Sequence, residues 1–363
     1  MLRLCQMREA NWSTIETSAG VYSPSALAAL DSIITFQRQN RATVYMGLYA
    51  TPAFYADTAA HPTYGDNVTK GPWGYLGECA NPNSLVAVRN FVTMLVARYN
   101  KPGGAWYDAN FSALGKGIQS WETWNEPTNT GSNGNTTGAN GAGAGFWWGT
   151  SAQLVDLAQT QYAAVKAADS SVLVTTPGFA DVVQSFPATF LSTVGPATGK
   201  SGAQSCDAYA WHTYALTPPG VTFGSFTQDL LYSQQGVVTV QSWLTANGYG
   251  NLPLWIGEWG VDSAHTSNEL VAYYAAPASF RYNWTARSLM LLAAYGVKNV
   301  CPWNWAENGP IGNSGNWQQD TLGVQLAWND ASTKLVGKTI IARSYVLNGA
   351  VSLTFSDGTS WVT

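Results

Sequence analysis

The chain has 363 residues, of which 17 are basic and 21 acidic, for a net charge of −4. Charged side chains make up 10% of it, against about 25% in an ordinary soluble domain. The absence of basic clusters excludes nucleic acid as a partner. An apolar content of 46% excludes disorder, and no run of about 18 apolar residues offers a membrane span.

Strand-like and helix-like segments alternate along the chain. Leu2–Cys5 is a short apolar run. Ser25–Gln39 has helical spacing (Leu27, Leu30, Ile33, Ile34), with Ser23 before Pro24 as its N-cap. Thr43–Tyr49 reads as a strand. Ser84–Tyr99 reads as an amphipathic helix with Val86, Val88, Phe91, Leu95 and Val96 as its buried stripe. Gly117–Asn125 is the next strand, followed by a Gly/Asn/Thr-rich loop at 128–149 and a helix over Ser151–Ala168. Then come a strand at Val172–Thr176, a short helix near Pro187–Val194 and a strand at Asp207–Tyr214. A helix over Gln228–Asn247, a strand at Leu252–Glu258, a helix over Ala278–Tyr295 and a strand at Val297–Trp303 complete the series. Strands alternating with helices of this length predict an α/β fold with a parallel sheet wrapped by helices. After Val336 the pattern changes. Thr339–Val346 and Val351–Phe355 alternate like antiparallel strands around Asn348-Gly349. The expected organisation is a barrel domain at 1–335 and a β appendage at 336–363.

Two strands end in a carboxylate. Trp121-Glu122-Thr123-Trp124-Asn125-Glu126-Pro127 puts Glu122, Trp124 and Glu126 on one side by the strand period of two. Leu254-Trp255-Ile256-Gly257-Glu258-Trp259-Gly260 ends an apolar strand at Glu258. In an α/β barrel the C-terminal strand ends carry the catalytic groups. Glycoside cleavage needs one carboxyl to protonate the leaving oxygen and a second to attack or to activate water. Glu122 reads as a buried structural group, with Arg3 the candidate ion-pair partner. Asp207, at the opening of its strand, reads as structural. Trp147-Trp148 read equally well as substrate platforms or as packing.

Asn125-Glu126-Pro127, His212-x-Tyr214, Glu258 and Trp303, on successive strands, resemble the clan A retaining glycoside hydrolases. The run Trp121–Pro127 with Ala97-Arg98-Tyr99 before it resembles family 39 most, with family 5 the nearest rival. The resemblance implies a (β/α)8 TIM barrel and hydrolysis of a β-linked oligo- or polysaccharide by double displacement. It implies Glu126 as acid/base and Glu258 as nucleophile, with their carboxyl groups about 5–5.5 Å apart. It gives Asn125, His212, Tyr214, Trp303 and Arg3 to substrate binding.

Cys5, Cys79, Cys206 and Cys301 form no CxxC pair, and His61, His212 and His265 share no zinc-site spacing. No two-bridge disulfide framework, metal or cofactor is expected. The Trp, Tyr, Asn and Gly content suits a secreted or periplasmic protein that handles carbohydrate, although Met1–Cys5 is not a signal peptide.

In the resembled pattern Asn125-Glu126-Pro127 closes the fourth strand, yet only two strand–helix units precede it. The expectation is therefore a barrel lacking its first βα unit. Its seven strands would leave a gap between Val297–Trp303 and Leu2–Cys5, with two unpaired edges. A chain so incomplete would alternatively be a carbohydrate-binding pseudoenzyme.

Overall fold

The computed structural model describes residues 3–57, 75, 77–127, 146–180, 185–215, 226–261, 278–302, 322–345 and 350–363. In chain order the elements are β1 (Arg3–Asn11), α1 (Trp12–Ile15), β2 (Glu16–Ser18), β3 (Val21–Tyr22), α2 (Pro24–Gln39) and β4 (Thr43–Tyr49). There follow α3 (Leu85–Asn100), α4 (Ala105–Leu114), β5 (Ser120–Glu122), α5 (Ser151–Ala168), β6 (Leu173–Thr175), α6 (Ser185–Ser192) and β7 (Tyr209–Ala215). The rest are α7 (Phe226–Ala246), β8 (Leu254–Val261), α8 (Ala278–Ala294), β9 (Asn299–Pro302), α9 (Leu322–Lys334), β10 (Ile340–Tyr345), β11 (Val351–Phe355) and β12 (Ser360–Val362).

The helix starts follow the local chemistry. Ser23 accepts a hydrogen bond from the Ala26 amide, and Pro24 opens α2 where its missing N–H costs nothing. Ser84 caps α3 through the Ala87 amide. Thr150 and Gln153 form a reciprocal capping box on α5. The stripe of α3 is buried as expected at Val88, Phe91, Leu95 and Val96, but Val86 is 58% exposed and lies outside it. Phe91 is fully buried and stacks on Trp12 with ring centroids 5.5 Å apart. Truncating such a side chain costs about 3–5 kcal/mol.

Two compact units divide the chain, Cys5–His212 and Met1–Leu4 with Thr213–Thr363. In Cys5–His212 the parallel strands run in the order β6-β5-β4-β1. Cys5 through Asn11 pair with Thr43 through Tyr49, and Glu122 sits opposite Gly47 on one side and Thr175 on the other. Parallel bridges from Thr175 to Ala208 and from Phe179 to Trp211 add the start of β7. β4 is buried at five consecutive positions, as a strand covered on both faces must be. Asp207 is structural, as expected. It accepts from the Val174 amide at 2.8 Å and pairs with Lys166 at 2.6 Å, tying the start of β7 to β6.

In the other unit the order is β1-β9-β8-β7. Arg3 pairs with Asn299 and Leu4 with Val300, both parallel. This corrects the expected gap. The edge of β9 predicted to be open is hydrogen-bonded to the first residues of β1. Seven parallel strands are present among the described residues, as counted. The C-terminal strands form an antiparallel sheet in the order β10-β11-β12. It packs on the helices beside it through Trp361, which lies under Lys334, and through Arg343, which covers Tyr295 and donates to the Ala294 carbonyl.

The cysteines form no two-bridge framework, as expected. Cys301 is disulfide-bonded, whereas Cys79 and Cys206 are buried free thiols. Two free thiols among four cysteines leave no room for two bridges.

Candidate active site

β5 ends at Glu122, and the chain then runs along the C-terminal edge of the sheet to Pro127. The turn after β6 holds that stretch by its backbone. The Gly178 amide donates to the Trp124 carbonyl, and the Glu126 amide donates to the Gly178 carbonyl, each at 2.9 Å. From below, the Trp121 indole donates to Gln161, whose amide donates in turn to the Thr123 carbonyl at 2.7 Å. The Trp124 indole donates to the Phe146 carbonyl, and its ring meets Trp147 edge-on. Glu126 itself has φ of 38°, in the left-handed region that a glutamate rarely adopts. Such strain persists only where the surroundings impose it.

The Glu126 carboxylate faces His212 of β7, the strand on the far side of β6. His212 Nδ1 lies 3.0 Å from Glu126 Oε1, and Nε2 lies 3.2 Å from Glu122 Oε2. Tyr45 donates its hydroxyl to the same Glu122 oxygen at 2.7 Å and lies 2.6 Å from the Thr175 hydroxyl. All are buried: Glu122 fully, His212 nearly so, Glu126 to 7% exposure. A strand, a strand end and a turn thus converge on one imidazole. Glu122 is thus partnered by Tyr45 and His212; the side chain of Arg3, the ion-pair partner expected for it, lies outside the described residues.

Asn125 sits beside this cluster, buried, with its Oδ1 making no hydrogen bond. A buried acceptor without a donor is costly unless a ligand supplies one. In the other unit Glu258 is buried on β8, and the next residue, Trp259, stacks on Trp284 at 5.3 Å. Arg3 lies on β1 and Tyr214 on β7. The side chains of both, and all of Trp303, fall outside the described residues, as do His61 and His265. Trp147 and Trp148 are buried against the body of the protein, so of their two readings packing is the right one.

The family model for cellulase (glycosyl hydrolase family 5) matches residues 118–309, which include both strand-end glutamates. The chain belongs to glycoside hydrolase family 5. The finer resemblance, to family 39 ahead of family 5, is not confirmed. Solved structures of family 5 and related families agree on the fold. A glucosidase from Croceicoccus marinus is 14% identical over 97% of this chain and 66% of its own, with a TM-score of 0.58. A family 30 endoxylanase from Clostridium papyrosolvens is 10% identical over 98% of this chain and 71% of its own, with a TM-score of 0.56. A family 5 lichenase from Caldicellulosiruptor sp. is 14% identical over 88% and 78%, with a TM-score of 0.51. The chain thus spans about two thirds of the length of that glucosidase. No curated protein matches it. At these identities the likeness shows the fold, an α/β (β/α)8 barrel.

Proposed function

We propose that this family 5 chain is a retaining glycosidase that cleaves O-glycosidic bonds in a β-linked oligo- or polysaccharide, with Glu126 as acid/base and Glu258 as nucleophile. The observation that carries the reading is the holding of Glu126. A carboxylate at a strand end, on strained backbone and hydrogen-bonded to a buried imidazole, is fixed for proton transfer rather than for solvation. In the first step the Glu258 carboxylate attacks the anomeric carbon. The bond to the leaving oxygen breaks, and that oxygen takes the Glu126 proton. In the second step Glu126 removes a proton from water, which attacks the same carbon and releases Glu258. The unsatisfied Oδ1 of Asn125 suits a donor such as the sugar 2-hydroxyl. Arg3 and Tyr214 are assigned to support of the nucleophile, and Trp303 to stacking under the sugar. The composition suits action outside the cytoplasm.

The test is incubation with a panel of aryl β-glycosides, β-glucans and xylans, with the first-formed anomer read by proton NMR. The β-anomer is expected first. The α-anomer first would overturn the retaining mechanism. Binding without turnover on every member would overturn the enzyme reading and leave a carbohydrate-binding protein.

A further inference from the structure

Glu122 has a task that depends on where its two oxygens go. Oε2 takes both available donors, the Tyr45 hydroxyl at 2.7 Å and His212 Nε2 at 3.2 Å. Oε1 is buried with no hydrogen-bond partner. The side chain is fully buried, so water does not substitute for these contacts. A carboxylate is an acceptor only, and each ring nitrogen of a neutral imidazole is either donor or acceptor. A lone pair on Nε2 would therefore face the Oε2 lone pairs across 3.2 Å, which is repulsive.

From this geometry, and resting on the acid/base role of Glu126 proposed above, we infer that Glu122 is a positioning residue that fixes His212 in the Nε2–H form. With Nε2 protonated, two states remain at Nδ1. In one, neutral Nδ1 accepts the proton of Glu126 as carboxylic acid. In the other, Nδ1–H of the imidazolium donates to Glu126 as carboxylate. The two differ by the place of one proton along a 3.0 Å hydrogen bond. Both halves of the catalytic cycle are therefore served without moving a heavy atom. The first step draws the proton from the acid state. The second step returns a proton from water to the same pair. The reversed tautomer, with Nδ1–H on a neutral ring, would only donate to Glu126 and hold it ionised, unable to protonate a leaving group. Tyr45 supports the arrangement by occupying the other lone pair of Oε2.

The experiment separates this positioning from mere packing. Nitrogen-15 spectra of the full chain labelled at histidine should show Nε2 of His212 protonated across neutral pH. Nε2 found unprotonated would overturn the inference, whatever the enzyme does. Glu122→Met removes the acceptor, and Glu122→Gln keeps it, because the amide oxygen can sit at Oε2 and its NH2 at the unpartnered Oε1. Glu122→Met is expected to lose about 100-fold in kcat/KM on glycosides with poor leaving groups and little on dinitrophenyl glycosides, which need no acid. Glu122→Gln is expected to restore most of the loss. An equal loss on both kinds of leaving group, or a Gln variant no better than Met, would overturn the assignment. Should Glu122→Met not fold, Tyr45→Phe carries the same leaving-group test with a smaller expected effect. A wild-type protein inactive on the whole panel defeats the proposed function instead, and the nitrogen-15 measurement still reads the tautomer.

Discussion

Gly178 lies flat against the imidazole of His212. A Cβ at position 178 would come within 2.6 Å of His212 Cε1 and 2.7 Å of Cδ2, and closer still to Nε2. These are ring atoms of a buried side chain, so they cannot swing aside as the end of a lysine would. The glycine is thus required by the histidine.

Gly178→Ala should therefore move His212 off Glu126 and Glu122. Overpacking of this kind costs about 1–3 kcal/mol, and the site should suffer more than the fold. We expect a modest fall in Tm with at least a tenfold fall in kcat/KM on glycosides with poor leaving groups. Unchanged turnover in a folded Gly178→Ala protein would show that the ring contact is not needed.

The two glutamates should fail in different ways. Glu258→Ala is expected to abolish turnover, with azide restoring part of it as the glycosyl azide of inverted configuration. Glu126→Ala should keep substantial activity on substrates with good leaving groups and lose about 10²–10⁴-fold on natural linkages. Product analysis by chromatography reads the first, and a leaving-group series reads the second. Full activity in Glu258→Ala would remove it as nucleophile.

Asp169 gives a pH dependence of stability away from the site. Burial alone would raise its carboxyl, but hydrogen bonds from Lys116, Ser171 and Asn100 outweigh that and hold it at about 2. The folded value lies below the unfolded one near 3.8. Its contribution is therefore complete at neutral pH and is lost as pH falls from about 4 toward 2. Asp169→Asn should cost about 1–2 kcal/mol at neutral pH, and the difference from wild type should shrink in acid. Urea unfolding midpoints across that window measure it. A penalty independent of pH would rule out the ionised carboxylate as its source.

The free thiols should be inert in the folded protein. Burial, with Asp207 beside it, pushes Cys206 up to about 12, and burial next to Glu78 pushes Cys79 up as well. The thiolate is the reactive form. An aryl disulfide reagent at neutral pH should label neither in the native state and both in guanidinium chloride. Cys301 should enter the count only after reduction. Rapid labelling of the native chain would show that one of these thiols is accessible.

What the residues disclosed, and what they did not, follows the range of the forces involved. Ser23, Ser84 and the strand-end glutamates act within a few positions of themselves, so α2, α3, α5 to α8, the seven strands and the strand-end place of Glu126 could be read directly, whereas α4 and α9 were not. α4 escaped notice because Trp106 is its one buried residue and no stripe marks it. The pairing of Arg3 with Asn299 is made by backbone atoms, which carry no residue signature. The partner of Glu122 was unreadable for a related reason. His212 is 90 positions away, and the backbone bridges from Thr175 to Ala208 and from Phe179 to Trp211 bring that strand alongside. Val86 has the apolar character of its stripe, but its place in the first turn of α3 leaves it facing solvent.

The left-handed backbone at Glu126 sets heat resistance against turnover. A glutamate there costs about 1–3 kcal/mol that glycine or asparagine would not. A library of this chain selected only for surviving heat should thus enrich Glu126→Asn, and its hardiest members would have given up the carboxyl proposed as the acid.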